Sequence, residues 1–128
     1  MSVVAVVKQL SPEQVRRYAD ASGDHNPIHV DEDFARATPF GGTIAHGMLV
    51  LASISEMMAA SCGEAWLTGG KLRVRFRAPC RTTDAITASA SASGGQAERD
   101  GLRVYAVEVR NQEGELLISG TAEAPARA

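Results

Sequence analysis

The 128 residues, 45% hydrophobic and 22% charged, have the balance of one soluble globular domain and are too few to bury two independent cores. A net charge of −2 gives no general electrostatic reason to expect nucleic acid or an anionic membrane as a partner. The longest apolar stretch, Met48 to Cys62, holds Glu56 and three serines and falls short of the roughly 20 residues of a membrane span. Two cysteines, Cys62 and Cys80, lack the spacing of a zinc site or a redox pair, and no basic-then-apolar leader opens the chain, so a cytoplasmic protein with reduced thiols is expected.

Val3 to Val7, apolar and β-branched, predicts a first strand. Ser11 then offers an N-cap, Pro12 suits the first helical position and Gln14 completes an S-x-x-Q capping box. The helix that follows carries Val15, Tyr18 and Ala19 on one face and is expected to stop at Gly23. From Asp24 to Thr43 the chain reads as irregular, broken by Pro27, Pro39 and Gly41–Gly42, with one helical turn near Asp31 to Ala37. An irregular stretch of that length in a small domain is usually functional.

His46 to Cys62 predicts the main helix. Met48, Leu49, Val50, Leu51, Ile54, Met57 and Met58 make it apolar almost all round, which implies burial on every side. A sheet curved around the helix is the natural cover. Four strand candidates supply it: Trp66 to Phe76, Ile86 to Ser93, Val104 to Arg110 and Leu116 to Ala122. In the first of these Leu72, Val74 and Phe76 alternate with Lys71, Arg73, Arg75 and Arg77. Gly94–Gly95 with Asp100–Gly101, and Asn111 to Gly114, read as turns, and Ala124 to Ala128 as a loose tail. The expected fold class is α+β: a single hot-dog domain over residues 1–128, in which about five antiparallel strands wrap one long central helix.

The stretch Ser22-Gly23-Asp24-His25-Asn26-Pro27-Ile28-His29, preceded by Tyr18 and followed by Ala35, resembles the signature of the MaoC-like family of (R)-specific enoyl-CoA hydratases. That pattern runs from an aromatic residue through Gly-Asp-x-Asn-Pro-aliphatic-His to a small residue beyond it. Ala21 departs from it, standing where the family usually has Leu, Val, Ile or Gly. Ile44-Ala45-His46-Gly47-Met48-Leu49 resembles the family's His-Gly-Met segment, and Ser55 falls at a family serine position. Phe76-Arg77-Ala78-Pro79 fits more loosely, and Thr83-Asp84 replaces the usual Gly-Asp.

The resemblance implies a hydratase or dehydratase acting across the C2–C3 bond of an acyl thioester with R stereochemistry, in which Asp24 and His29 form the acid–base pair. It also implies a coenzyme A or carrier-protein handle on the substrate, no separate cofactor, and at least a homodimer. Ser22, Gly23, Asn26, Pro27 and His46 are expected to support the motif. Hydration needs a base for the attacking water and an acid for C2, and a carboxylate and an imidazole can divide those tasks. Gly47, opening a buried helix, can present an unpaired N–H to the thioester oxygen, while Ser55 is a candidate substrate contact or a simple helix-bonded serine.

Other readings compete with this one. Thioester hydrolysis would use a carboxylate on the central helix, where Glu56 is the candidate. A non-catalytic acyl-thioester-binding subunit would be expected to lack Asp24 or His29. A metal site from Asp24, His25, His29 and Asp31 is conceivable on ligand type but runs against the resemblance. The basic row Lys71, Arg73, Arg75 and Arg77 could meet coenzyme A phosphates or be a solvated sheet face. The low aromatic content, 5%, points to a substrate cleft walled by aliphatic residues and methionines.

Overall fold

The computed structural model describes residues 3–92 and 98–126. Its elements in chain order are β1 (Val6–Gln9), α1 (Pro12–Ser22), α2 (Pro27–Val30), α3 (Glu32–Arg36), α4 (Gly47–Cys62), α5 (Glu64–Gly69), β2 (Lys71–Phe76), β3 (Ala85–Ala92), β4 (Glu98–Arg99), β5 (Leu102–Arg110) and β6 (Leu116–Pro125). The strands form one antiparallel sheet in the order β1-β3-β5-β6-β2, and the two-residue β4 pairs with β5 off that path. The helix α4 packs across β1, β3, β5 and β6, which is the expected hot-dog arrangement.

Local chemistry accounts for the helix ends. Ser11 Oγ accepts the Gln14 N–H at 3.1 Å, Pro12 occupies the first turn, and Gly23 closes α1 in the left-handed region at φ 80°. Val15 and Ala19 are the buried positions of α1 and lie four residues apart on one face. The core joins Val15 to Ile54, Met57 and Met58 of α4 and to Ile86, Val109 and Ile118 of the sheet. Each of these seven is almost completely shielded from water.

Several expectations from the sequence need correction. The first strand starts at Val6 and runs on to Gln9, because its register against β3 pairs Val6 with Ala88 and Gln9 with Ala85. The stretch after Asp24 is more ordered than its prolines suggested. Pro27 starts the helical turn α2 instead of preventing one, since a first-turn proline loses no helical hydrogen bond. The central helix is not buried on every side: Met48, Ala52, Glu56 and Ala60, four residues apart, form an exposed stripe, with Met48 59% exposed. The sheet covers only one flank.

Trp66 does not belong to a strand. Gly63 turns the chain after α4, and Glu64–Gly69 coil as α5, placing the Trp66 ring against the core. A Cβ at Gly70 would come within 2.4 Å of that ring, so the next strand can begin only after a glycine. At the C-terminal end, β6 continues to Pro125 and Ala124 is fully buried, so no loose tail begins at residue 124. The pairing of β5 with β6 extends to Leu102–Pro125 and supplies the backbone partners. The expected Gly94–Gly95 turn and residues 127–128 lie outside the described residues.

In β2, the alternation holds from Lys71 to Arg75: Leu72 and Val74 are half-buried while Lys71, Arg73 and Arg75 are exposed. Phe76 breaks it, with 55% of its surface exposed. The reason lies in the site beside it.

Candidate active site

The loop after α1 and the turn α2 bring Asp24 and His29 together. Asp24 N–H donates to Ser22 Oγ at 3.2 Å, and Asp24 Oδ1 accepts the Asn26 N–H at 3.2 Å. Asn26 in turn caps α2 through its Oδ1, which accepts the Ile28 N–H at 3.1 Å. One helical turn begun by Pro27 then carries His29 back, so that its Nε2 lies 3.9 Å from Asp24 Oδ2. The pair is asymmetric: 54% of the Asp24 side chain is exposed, against 12% of His29.

The tautomer of His29 follows from its second contact. Its Nδ1 is 2.8 Å from the Ile44 carbonyl oxygen, which can only accept, so Nδ1 carries a proton and in the neutral imidazole the lone pair is on Nε2, the nitrogen facing Asp24. His46 is fixed by the same logic. Its Nε2–H donates to the Asp24 backbone oxygen at 2.9 Å, and its buried Nδ1 has no hydrogen-bond partner among the described residues. The His46 ring stacks on His29 at 3.8 Å between centroids, and Tyr18 packs against it at 4.8 Å with the rings tilted by 60°. Tyr18, Ser22, Asn26, Pro27, His29 and His46 thus come together around Asp24, and Gly23 supplies the turn before it.

Gly47 is the first residue of α4, ahead of Leu49 and Val50, whose N–H groups both donate to His46 O. Its own N–H therefore has no acceptor within the helix. Two recesses meet at Gly47 and Phe76. One, of about 360 Å³, reaches His29 and is walled by Phe40, Val50, Leu117 and Ile118; the other, of about 340 Å³, holds Asp24, His46 and Met48. The Phe76 ring lies over Gly47, where an added Cβ would approach its Cε1 to 3.0 Å. The larger recess is of a size that holds small ligands, and its wall is mainly apolar. The expected aliphatic wall is present in Ile44, Val50, Leu117 and Ile118, but two of the three phenylalanines join it and Met48 lines the other recess.

Other candidates fall elsewhere. Ser55 Oγ accepts the Trp66 indole N–H at 3.0 Å, and Ser55 lines neither recess. His25 turns outward to Asp20 at 3.0 Å, and Asp31 caps α3 by accepting the Phe34 N–H. Glu56, the hydrolase candidate, is paired with Lys8 at 2.9 Å on the exposed stripe of α4 and touches neither recess. Donor atoms of Asp24, His29 and His46 do lie within 4.8 Å of one another. In each imidazole one nitrogen is bonded to a backbone carbonyl, which leaves His29 Nε2 and His46 Nδ1 as the remaining ring nitrogens.

Sequence reading missed Phe40 and Phe76 as cleft walls. It also missed Cys80, which is 4% exposed and lines the larger recess. Burial, aided by the negative charge of Asp84, pushes this thiol up from an ordinary value of 9.0 to about 12. Because the folded value is raised, the protonated thiol's contribution to stability is intact below about pH 9 and is lost as pH climbs towards 12. Urea unfolding between pH 8 and 11 should therefore show stability declining in wild type and a flatter decline in Cys80→Ala.

The site's residues can be compared with those of known proteins. A family model described as MaoC like domain matches residues 2–115. The chain is 38% identical over 89 residues to 3-hydroxyacyl-thioester dehydratase Z of Mycobacterium tuberculosis, covering 66% of this chain and 59% of that protein. It is 33% identical over 90 residues to the (R)-specific enoyl-CoA hydratase of Rhodospirillum rubrum, covering 70% and 62%. The chain thus spans about three fifths of the length of these curated relatives. Among solved structures, the (R)-hydratase from A. caviae involved in PHA biosynthesis superimposes with a TM-score of 0.83 at 25% identity, covering 98% of this chain and 96% of that one. With most of its length under the family model and the Gly-Asp-x-Asn-Pro-x-His stretch bringing Asp24 and His29 together, the chain belongs to the MaoC-like domain family.

Proposed function

We propose that this chain is an (R)-specific hydratase/dehydratase that adds or removes water across the C2–C3 bond of an enoyl or 3-hydroxyacyl thioester. The observation that carries the reading is the Asp24 carboxylate facing the His29 Nε2 lone pair at 3.9 Å, beside an apolar cleft and the first N–H of α4. That distance is too long for a direct hydrogen bond, and it lets one water oxygen reach both groups. In hydration the water oxygen bonds to C3, one proton leaves it for the pair, and one proton passes from the pair to C2 on the same face. The C2–C3 π bond is consumed and the pair returns to its starting charge.

Negative charge gathers on the thioester oxygen as C3 is attacked. Gly47 N–H, with the dipole of the sixteen-residue α4 behind it, is the preorganised donor for that charge. The acyl chain would fill the recess walled by Phe40, Val50, Leu117 and Ile118. Coenzyme A or a carrier-protein pantetheine enters as part of the substrate, and the reaction itself requires no separate cofactor. A homodimer is part of the proposal: β2 has one sheet neighbour, β6, and its open edge lies near the exposed Phe76.

Crotonyl-CoA tests the reading, followed by absorbance at the enoyl-thioester band. Loss of that band without release of thiol is the expected result. Free thiol with the enoyl group intact would instead show hydrolysis and overturn the proposal. Among the described residues no helix is long and apolar enough to cross a membrane.

A further inference from the structure

His29 takes its orientation from the Ile44 carbonyl, which lies in a stretch with little regular structure. Between α3 and α4 the sheet-like support is a single bridge between Ile44 and Arg81, with Ala45 N–H donating to Cys80 O at 2.7 Å. Immediately before it come Gly41, at φ 72°, and Gly42, two residues without side chains to hold the backbone. Thr43 is the first residue after them that can anchor it, and it is 7% exposed.

Thr43 is gripped from two sides. Its Oγ1 lies 2.9 Å and its N–H 3.4 Å from Glu32 Oε2 at the start of α3. A carboxylate only accepts, so the Thr43 hydroxyl proton points to Glu32. That leaves the Thr43 oxygen to accept from Thr82 Oγ1, 3.1 Å away and itself 5% exposed. The chain of donors therefore runs Thr82 to Thr43 to Glu32 and ends on a charge, which strengthens it. Directly downstream, Ile44 N–H donates to Ile28 O at 3.1 Å while Ile44 O accepts the His29 Nδ1–H at 2.8 Å.

We propose that Glu32, Thr43 and Thr82 form a latch that positions His29, fixing its tautomer by holding the Ile44 carbonyl in place. The proposal rests on the acid–base reading of His29. These are positioning residues: none of the three lines the recess that reaches His29. If the carbonyl drifts, the imidazole loses the acceptor that keeps its proton on Nδ1, and the lone pair on Nε2 is no longer guaranteed. Proton transfer suffers, while Val50, Leu117 and Ile118, the wall residues on α4 and the sheet, stay as they were.

The test compares Thr43→Val, which keeps the shape and loses the hydroxyl, with Thr43→Ser, which keeps the hydroxyl. Glu32→Ala and Glu32→Gln form a second pair, since the glutamine oxygen can still accept. Two readouts are taken: kcat and KM on crotonyl-CoA, and the side-chain ¹⁵N spectrum of the three histidines, with His29 assigned from a His29→Ala sample. Thr43→Val and Glu32→Ala should each lower kcat about tenfold with KM within about twofold. Both should also show His29 partly as the Nε2–H tautomer, and the serine and glutamine variants should recover most of both properties. Wild-type His29 spectra in folded Thr43→Val and Glu32→Ala would overturn the latch, whatever the rates. If Thr43→Val does not fold, the Glu32 pair carries the same comparison. The spectra need no substrate, so an inactive wild type would count against the hydratase reading and leave the latch to be judged on the tautomer alone.

Discussion

Asp24→Asn and His29→Ala are each expected to lower kcat for hydration about 10³-fold, with the protein still folded. Asparagine keeps an oxygen that can accept the Asn26 N–H, so the turn that Asp24 Oδ1 now holds survives. What it loses is the capacity to take or hold a proton. His29→Ala removes the ring facing Asp24 and leaves the Ile44 carbonyl without its donor, a loss of about 1 kcal/mol of stability. Two groups that share one proton path act as a unit, so the double variant should be little slower than either single one. Progress curves with crotonyl-CoA, paired with far-ultraviolet circular dichroism, check both statements. A double variant slower by the product of the two single effects would mean that the residues act independently.

Gly47→Ala should lower kcat/KM about a hundredfold while leaving stability nearly unchanged. The new Cβ would approach the Phe76 ring to 3.0 Å, so the ring must give by a few tenths of an ångström towards one of the two recesses that it borders. Either direction crowds the space in front of the Gly47 N–H. Alanine favours a helix over glycine by up to about 1 kcal/mol, which offsets that crowding in the folded state. Activity and stability therefore part company in this variant. A Gly47→Ala, Phe76→Ala double variant should recover part of the rate, because the obstruction is the displaced ring. No recovery would place the loss at Gly47 itself.

Much of this site was legible before any coordinates. Periodicity and caps located α1, α4 and β3 to within a few residues, because those signals are local: Ser11 and Gly23 act on their own neighbours. The wrap of an antiparallel sheet around one long helix followed from the apolar content of α4, although the inference of burial on every side did not hold. Periodicity counts apolar residues and cannot see that Met48 and Ala52 face outward. Trp66 was misplaced for a related reason, since an aromatic residue just ahead of an alternating run is as consistent with a short helix as with a strand.

The pairing of Asp24 with His29 was legible only as a motif. Pro27 was misread as a helix breaker when it is a helix starter, and the turn it begins is what shortens the path between the two side chains. Contacts across long sequence distances left no local trace. Ile44 holding His29, Phe76 over Gly47, and Thr82 meeting Thr43 each depend on the sheet bringing the 76–84 stretch against the loop before α4. Glu32, within the acidic run Asp31-Glu32-Asp33, read as ordinary charge at a helix start. Ser55 is a different case: its position matches a motif, while its hydroxyl oxygen accepts the Trp66 indole N–H from an element that the sequence did not reveal.

The measurement that bears most directly on the central claim is hydration of crotonyl-CoA by the wild-type protein in D₂O, with the product's configuration and deuterium position determined. The account predicts (3R)-3-hydroxybutyryl-CoA carrying one deuteron at C2, added on the same face as the hydroxyl, because one Asp24–His29 pair serves both carbons. A 3S or racemic product, or deuterium on the opposite face, would contradict it.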